Sequence, residues 1–308
     1  MRGVRRAASV LATVALTVLS GACTLAGPSV GSAPGTGQAS TLAASPATRP
    51  ATTAIKLPRP DHVVVVVLEN KSQGEVVAQA PFLASLSGTG ASLIDMHAET
   101  HPSQPNYLAM FSGSTQGVVD DSCPRSFPGP SLGGALLGAG LTFTAYSEDL
   151  PQAGFTGCTH GGYARKHAPW VNFADVPAQL QQPLTAMPSD FTQLPTVAFL
   201  IPNLCHDMHD CSIAEGDAWL RDHLSAYAAW ASSHNSLLLV TFDESEAHGD
   251  PQNHIATFAV GQMVAPGPDP EHADHYSLLR TLEDMYGLPA LGHSAEAAPL
   301  TQLWQHTG

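Results

Sequence analysis

The run His62-Val63-Val64-Val65-Val66-Val67-Leu68 constrains the fold more than any other stretch of the chain. Apolar side chains occupy six successive positions after His62, so neither face of an extended strand is left for water. Such a run belongs in a strand buried on both faces, and therefore in a parallel sheet covered by helices. Similar short runs recur at 142–146, 196–201, 236–242 and 255–260, with helical patterns at 80–87, 107–111, 132–137, 214–233 and 275–286. Strands alternating with helices predict an α/β fold with a mostly parallel central sheet sandwiched by helices.

The chain ahead of this pattern reads differently. Residues 1–23 open with Arg2, Arg5 and Arg6, continue through an apolar run and end in Ser20-Gly21-Ala22-Cys23, as a signal peptide does. Cys23 leaves two outcomes open, a lipid-modified first residue that tethers the protein to the membrane, or simple secretory cleavage. In both, the expected location is secreted or on the extracellular face of the cell membrane. Residues 24–55 are Ala, Gly, Ser, Thr and Pro with almost no charge, the composition of a disordered linker. One catalytic domain is expected over 56–308.

Without the signal peptide, nine basic residues face twenty-six acidic ones. That balance argues against nucleic acid as a partner, because its phosphates are held by Lys and Arg. An anionic substrate would have to be held locally, by a metal, by imidazoles or by a helix N-terminus. Four cysteines remain, Cys123, Cys158, Cys205 and Cys211, and an even count in an exported chain favours disulfides. The simplest connectivity pairs Cys205 with Cys211 and Cys123 with Cys158. Three connectivities are open from sequence, and thiolate zinc binding is the alternative.

Polar clusters follow the buried runs: Glu69-Asn70, Ser147-Glu148-Asp149, the stretch 203–210, and Asp243-Glu244. Ligands in open α/β sheets sit at the carboxyl ends of the strands, so these clusters predict one shared pocket. Glu69, Asn70, Asp243 and Glu244 make an oxygen-rich set suited to one divalent cation, with Mg, Ca, Mn and Zn not distinguished. Loop acids or helix caps are the alternative for each pair.

The stretch 99–113 places Thr100, His101, Ser103 and Asn106 on a proline-stiffened turn before a helix starting near Asn106. Ser103 is the candidate nucleophile, with Asn106 as its phosphate-binding partner. A hydroxyl needs activation, and a neighbouring cation and the helix N-terminus would supply it. A plain helix cap is the competing role for Ser103. His206, Asp207, His209 and Asp210 crowd between Cys205 and Cys211, with His209 first and Asp207 next as functional groups, Asp207 also as a lesser metal ligand. His275 opens an amphipathic helix and could face the pocket. In Arg165-Lys166-His167, Lys166 and His167 are the candidate source of positive charge for phosphate, with ordinary surface charge as the alternative for them and for His275; His248 and His254 rank lower.

Six motifs in order carry a resemblance: Leu-Glu-Asn at 68–70, Thr-His-Pro-Ser-Gln-Pro-Asn-Tyr at 100–107, Tyr-Ala-Arg-Lys-His-Ala-Pro-Trp at 163–170, Ile-Pro-Asn with Asp-Met-His-Asp over 201–210, Thr-Phe-Asp-Glu at 241–244, and the segment beginning His275-Tyr276-Ser277. Over roughly 58–305 the chain resembles the bacterial phosphoesterase family of the alkaline phosphatase-like superfamily, which holds secreted acid phosphatases and phospholipase C enzymes. The resemblance implies Ser103 as nucleophile, Glu69, Asn70, Asp243 and Glu244 as metal ligands, and His209 and His275 as phosphate-contacting or acid/base groups. It implies phosphomonoester hydrolysis through a phosphoserine, on a small phosphorylated substrate or a phosphoinositide headgroup. The alternatives are a phospholipase C-type phosphodiesterase and a non-catalytic, tethered phosphate- or metal-binding lipoprotein. Two departures stand out: the Cys205–Cys211 pair, and the longer, His-bearing segment 245–251.

Overall fold

The computed structural model describes residues 56–246 and 251–305. The expected signal peptide, Cys23, the 24–55 linker and His248 lie outside the described residues. The strands are β1 (His62–Leu68), β2 (Ala91–His97), β3 (Phe143–Ser147), β4 (Thr159–His160), β5 (Tyr163–Ala164), β6 (Gln181–Pro183), β7 (Val197–Ile201), β8 (Ser236–Phe242), β9 (His254–Val260), β10 (Gly267–Asp269) and β11 (Ala273–Asp274). The α-helices are α1 (Gln73–Gln79), α2 (Pro81–Leu86), α3 (Ser103–Ser112), α4 (Leu132–Gly138), α5 (Ile213–Ala231) and α6 (His275–Tyr286).

The main sheet runs β10-β2-β9-β8-β1-β7-β3-β6, with β11 also paired to β2, while β4 and β5 form a separate hairpin. β1 lies between β8 and β7 and is parallel to both; β3 is parallel to β7 and β6. The run 255–260 belongs to β9, which is antiparallel to β8 and β2, so the sheet is mixed and mostly parallel. Val63 through Leu68 have no exposed surface, as a strand covered on both faces requires. α1, α2 and α5 pack together as one group of helices, and α3, α4 and α6 as another.

Two features of the helices position the site. α3 is buried along its whole length, with Phe111 packed against Phe143, Trp170, Phe173 and Phe199, so its N-terminus is held rigidly. It stops at Gly113 (φ 69°), where a Cβ would stand 1.8 Å from the Leu291 carbonyl oxygen; no other residue fits there. The N-terminus of α2 has no side-chain cap of its own and is completed by Asp217 of α5, whose carboxylate accepts from the Phe82 and Leu83 amides. The cysteines pair as Cys123–Cys158 and Cys205–Cys211.

Candidate active site

β1 and β8 are parallel neighbours, so their carboxyl ends lie side by side and deliver Glu69, Asn70, Asp243 and Glu244 to one place. The Asn70 amide donates to Asp243 Oδ1 at 3.0 Å, and Asn70 takes a left-handed backbone (φ 55°) to do so. α3 brings Ser103 to the same point. The helix begins at Ser103, not near Asn106, because Pro105 falls in the first turn, where a missing amide costs no hydrogen bond. Pro102 occupies the cap position without a side-chain cap bond, so capping is not what the Ser103 hydroxyl does. Ser103 Oγ instead donates to Glu69 Oε2 at 2.9 Å and lies 3.3 Å from Glu244 Oε1, with 2% of the residue exposed.

Around this hydroxyl the structure builds a shell of neighbours. Tyr107, one turn after Ser103 on the same helix face, donates its hydroxyl to Glu69 Oε1 at 2.7 Å. His167 stacks on the Tyr107 ring and places Nε2 3.0 Å from Glu69 Oε1 and Nδ1 3.3 Å from Asp207 Oδ2. The Nε2 contact is out of line for a hydrogen bond, leaving an ion pair. His101 closes the other side, its Nδ1 2.6 Å from Glu244 Oε2. Tyr107 was not among the sequence candidates, although its spacing of four from Ser103 on one helix carried the signal.

The remaining candidates divide. Asp207 is fully buried, meets His167, and through its backbone carbonyl accepts from the Glu69 amide at 2.8 Å. His209 donates its amide to Asp207 Oδ1 at 2.8 Å and turns its ring to Asp210, at the rim of the site. Lys166 pairs with Asp121 at 3.0 Å; burial disfavours its charge, but Glu69 and Asp121 outweigh it and hold the ammonium above the usual lysine value. His275 is fully buried and its Nε2 donates to the Asp243 carbonyl at 2.7 Å; it positions Asp243. Asn106 accepts from the Glu99 and Thr100 amides, donates to the Thr100 carbonyl in the turn before α3, and places Nδ2 3.4 Å from Glu244 Oε2 in the site. His206 turns aside to Glu148 and stacks on Trp219, and His254 stacks on His97 at the start of β9. Arg165 is tied into the loops by Asn172 and by the Thr156 and Arg125 carbonyls.

Three buried carboxylates in one place cost desolvation and repel each other. Burial, followed by the charges of Glu69 and Glu244, pushes Asp243 far above the usual carboxylate range, and burial with Glu69 pushes Glu244 up to about 8. Glu69 departs the other way: burial opposes its charge, but the His167 imidazolium outweighs it and holds Glu69 ionised. His167 is itself disfavoured as a cation by burial, yet the Glu69 and Asp207 carboxylates raise it to about 9. Asp243 Oδ2 is buried without a hydrogen-bond partner among the described residues, as is His275 Nδ1. An all-oxygen set with an orphaned, crowded carboxylate is what a hard divalent cation would satisfy, so the residues present fit one.

Comparison with known proteins bears on the same chain segments. The model of the Phosphoesterase family matches residues 77–289. A phosphatidylinositol-3-phosphatase of Mycobacterium tuberculosis is 51% identical over 253 residues, covering 80% of this chain and 84% of that protein. A phosphate-repressible acid phosphatase of Penicillium chrysogenum is 32% identical over 256 residues, covering 75% of this chain but 60% of that longer protein. A solved structure of an alkaline phosphatase superfamily protein from Vibrio parahaemolyticus shares the fold, with a TM-score of 0.53 at 15% identity over 79% of this chain and 71% of that one.

Proposed function

This chain belongs to the phosphoesterase family, and from that premise we propose that it is a secreted phosphomonoesterase of the acid phosphatase kind that attacks phosphorus with Ser103. The observation that carries the reading is the Ser103 hydroxyl at the N-terminus of a buried helix, donating to Glu69 at 2.9 Å with Glu244 at 3.3 Å. A serine held between two carboxylates at that position has a proton acceptor on one side and helix amides for an anion on the other.

In the first step Ser103 Oγ forms a bond to phosphorus while the bond from phosphorus to the substrate's alcohol oxygen breaks. The hydroxyl proton leaves along the hydrogen bond to Glu69, which Tyr107 and His167 orient and keep ionised, and passes on to solvent. The product is a phosphoserine and the free alcohol, whose oxygen takes a proton at the open side of the site, where His209 stands at the rim. Water then attacks the phosphoserine, Ser103 recovers its proton, and phosphate leaves. Glu69, Asn70, Asp243 and Glu244 would hold a divalent cation. Such an ion supplies positive charge that favours the ionised hydroxyl and offsets charge on phosphoryl oxygens. Lys166, kept cationic by Glu69 and Asp121, adds charge for the phosphate. The name of the Mycobacterium tuberculosis relative supports a phosphoinositide headgroup as substrate.

Hydrolysis of p-nitrophenyl phosphate, its bis-ester and phosphatidylinositol 3-phosphate tests the reading. The monoesters should turn over and the bis-ester should not, with Ser103→Ala inactive on all three. Preferential hydrolysis of the bis-ester would favour a phosphodiesterase, and binding of phosphate without turnover a non-catalytic tethered protein.

A further inference from the structure

A second group of metal-ligating side chains shares no residue with the Ser103 centre. Asp95, His97 and His272 each present one ligand atom, and the three atoms lie within 4.8 Å of one another. One carboxylate already serves both imidazoles: His97 Nε2 is 2.8 Å from Asp95 Oδ1, and His272 Nδ1 is 3.1 Å from Asp95 Oδ2. The backbone explains the convergence. Asp95 and His97 are two apart in β2 and so face the same way, and the register between β2 and β9 shifts between Leu93 and Met96, a bulge that re-aims the strand end. His272 lies between β10 and β11, both of which pair with β2.

The surroundings orient these groups as they do at metal centres. The other ring nitrogen of His97, Nδ1, lies 2.9 Å from the Gln252 carbonyl, a contact that fixes the ring and points Nε2 at Asp95. The His254 ring stacks on His97 with centroids 5.1 Å apart, and His272 lies 5.0 Å from it on its own approach. The donor set differs in kind from the first centre. Two imidazoles and one carboxylate suit a borderline ion such as Zn²⁺, whereas the all-oxygen set around Ser103 suits a harder one. Asp95 is half-exposed and His272 exposed, so an ion can reach the group from solvent.

We infer that Asp95, His97 and His272 form a second cation site for Zn²⁺ or a similar borderline divalent ion, separate from the Ser103 centre. Binding replaces the contacts of Asp95 with the two rings by bonds to the ion, and any proton on the ligating nitrogens leaves to solvent. The occupied site would tie the carboxyl end of β2 to the segment that enters α6 three residues later at His275.

Zn²⁺ binding to the full chain carrying Asp243→Asn, which cripples the first centre, isolates the second. Competition against a chromophoric chelator should give one equivalent of Zn²⁺ and a Zn²⁺-dependent rise in melting temperature. Adding His272→Ala or Asp95→Asn should weaken that binding by at least about tenfold and remove the rise. Both residues face solvent, so the variants should stay folded, which near-ultraviolet circular dichroism checks. Equal Zn²⁺ affinity with and without the second substitution, or no Zn²⁺ bound to Asp243→Asn, would overturn the inference. The test reads metal alone, so it stands whether or not the phosphatase reading holds.

Discussion

Two pairs of neighbouring parallel strands end in polar clusters, and they differ in how their charges are met. At the ends of β3 and β7, Glu148 accepts from the Asn203 amide, His206 Nδ1 and Trp219 Nε1, all within 3.1 Å. Asp149 accepts from the Gly162 amide and the Asn203 carboxamide, both at 3.0 Å. At the ends of β1 and β8, by contrast, Asp243 Oδ2 has no hydrogen-bond partner among the described residues, and Glu244 is held near neutrality by burial and by Glu69. The first cluster is a brace whose two carboxylates are met by donors, with the buried Ser147 hydroxyl left without a partner among the described residues. The second crowds three carboxyl groups into a buried place, two of them pushed towards their neutral forms and one with an unpartnered oxygen, at a cost to stability that a bound cation would offset.

The comparison breaks most sharply at Ser103. Ser103→Ala should lower turnover of p-nitrophenyl phosphate by at least about 10³-fold while leaving the melting temperature nearly unchanged, read from steady-state rates and thermal unfolding. Asp243→Asn should cost about 10²-fold in rate. In chelator the same variant should be as stable as the parent or more so, since it removes a crowded buried carboxylate. His167→Gln frees Glu69 from its imidazolium and should cost about tenfold, with the alkaline limb of the rate profile displaced. Glu148→Gln inverts the pattern: rates should stay within about twofold, and stability should fall by about 2 kcal/mol in urea unfolding.

Stability against pH sharpens the same contrast. Glu244 and His167 both bind protons more tightly folded than unfolded, with values of about 8 and about 9 against ordinary ones of 4.5 and 6.5. Raised folded values mean stability that is complete below the unfolded values and lost as pH rises through the folded ones. The chelated protein should therefore lose melting temperature steadily from about pH 5 to about pH 9. Added divalent cation should flatten that slope by stabilising the ionised carboxylates, whereas Glu148→Gln should leave it in place. An effect of similar size to that of Glu148→Gln is expected at Cys205–Cys211. Replacing both with Ser should cost about 2 kcal/mol by loop-closure entropy, with a modest fall in rate because the loop seats Asp207 beside His167.

How much was legible in the chain follows from the range of the interactions. β1 could be read because six adjacent apolar residues carry the signal locally. β2 could not, because Ser92, Asp95 and His97 interrupt its pattern and a bulge breaks its register, and its pairing with β9, β10 and β11 is long-range. Glu69, Asp243 and Glu244 were legible as polar residues directly after buried runs, since parallel strands carry their ends to one edge. The start of α3 was misread by three residues because two prolines look like helix breakers, though Pro105 sits in the first turn. Tyr107 could be placed beside Ser103 by its helical spacing, but its bond to Glu69, and the pairing of His167 with Glu69, depend on packing between segments that are distant in the chain, for which composition gives no local sign. Asn106 was drawn to the phosphate by its place near Ser103. Its carboxamide also holds the turn that aims Ser103, a role with no local sign in the chain.

The central claim is that Ser103 Oγ bonds covalently to phosphorus. Rapid acid quenching during turnover of p-nitrophenyl phosphate, followed by peptide mass analysis, tests it directly. One phosphoryl group on the peptide carrying Ser103, absent from Ser103→Ala and discharged by further incubation, is the predicted result. An unmodified Ser103 during turnover, with Ser103→Ala near the parent rate, would contradict it.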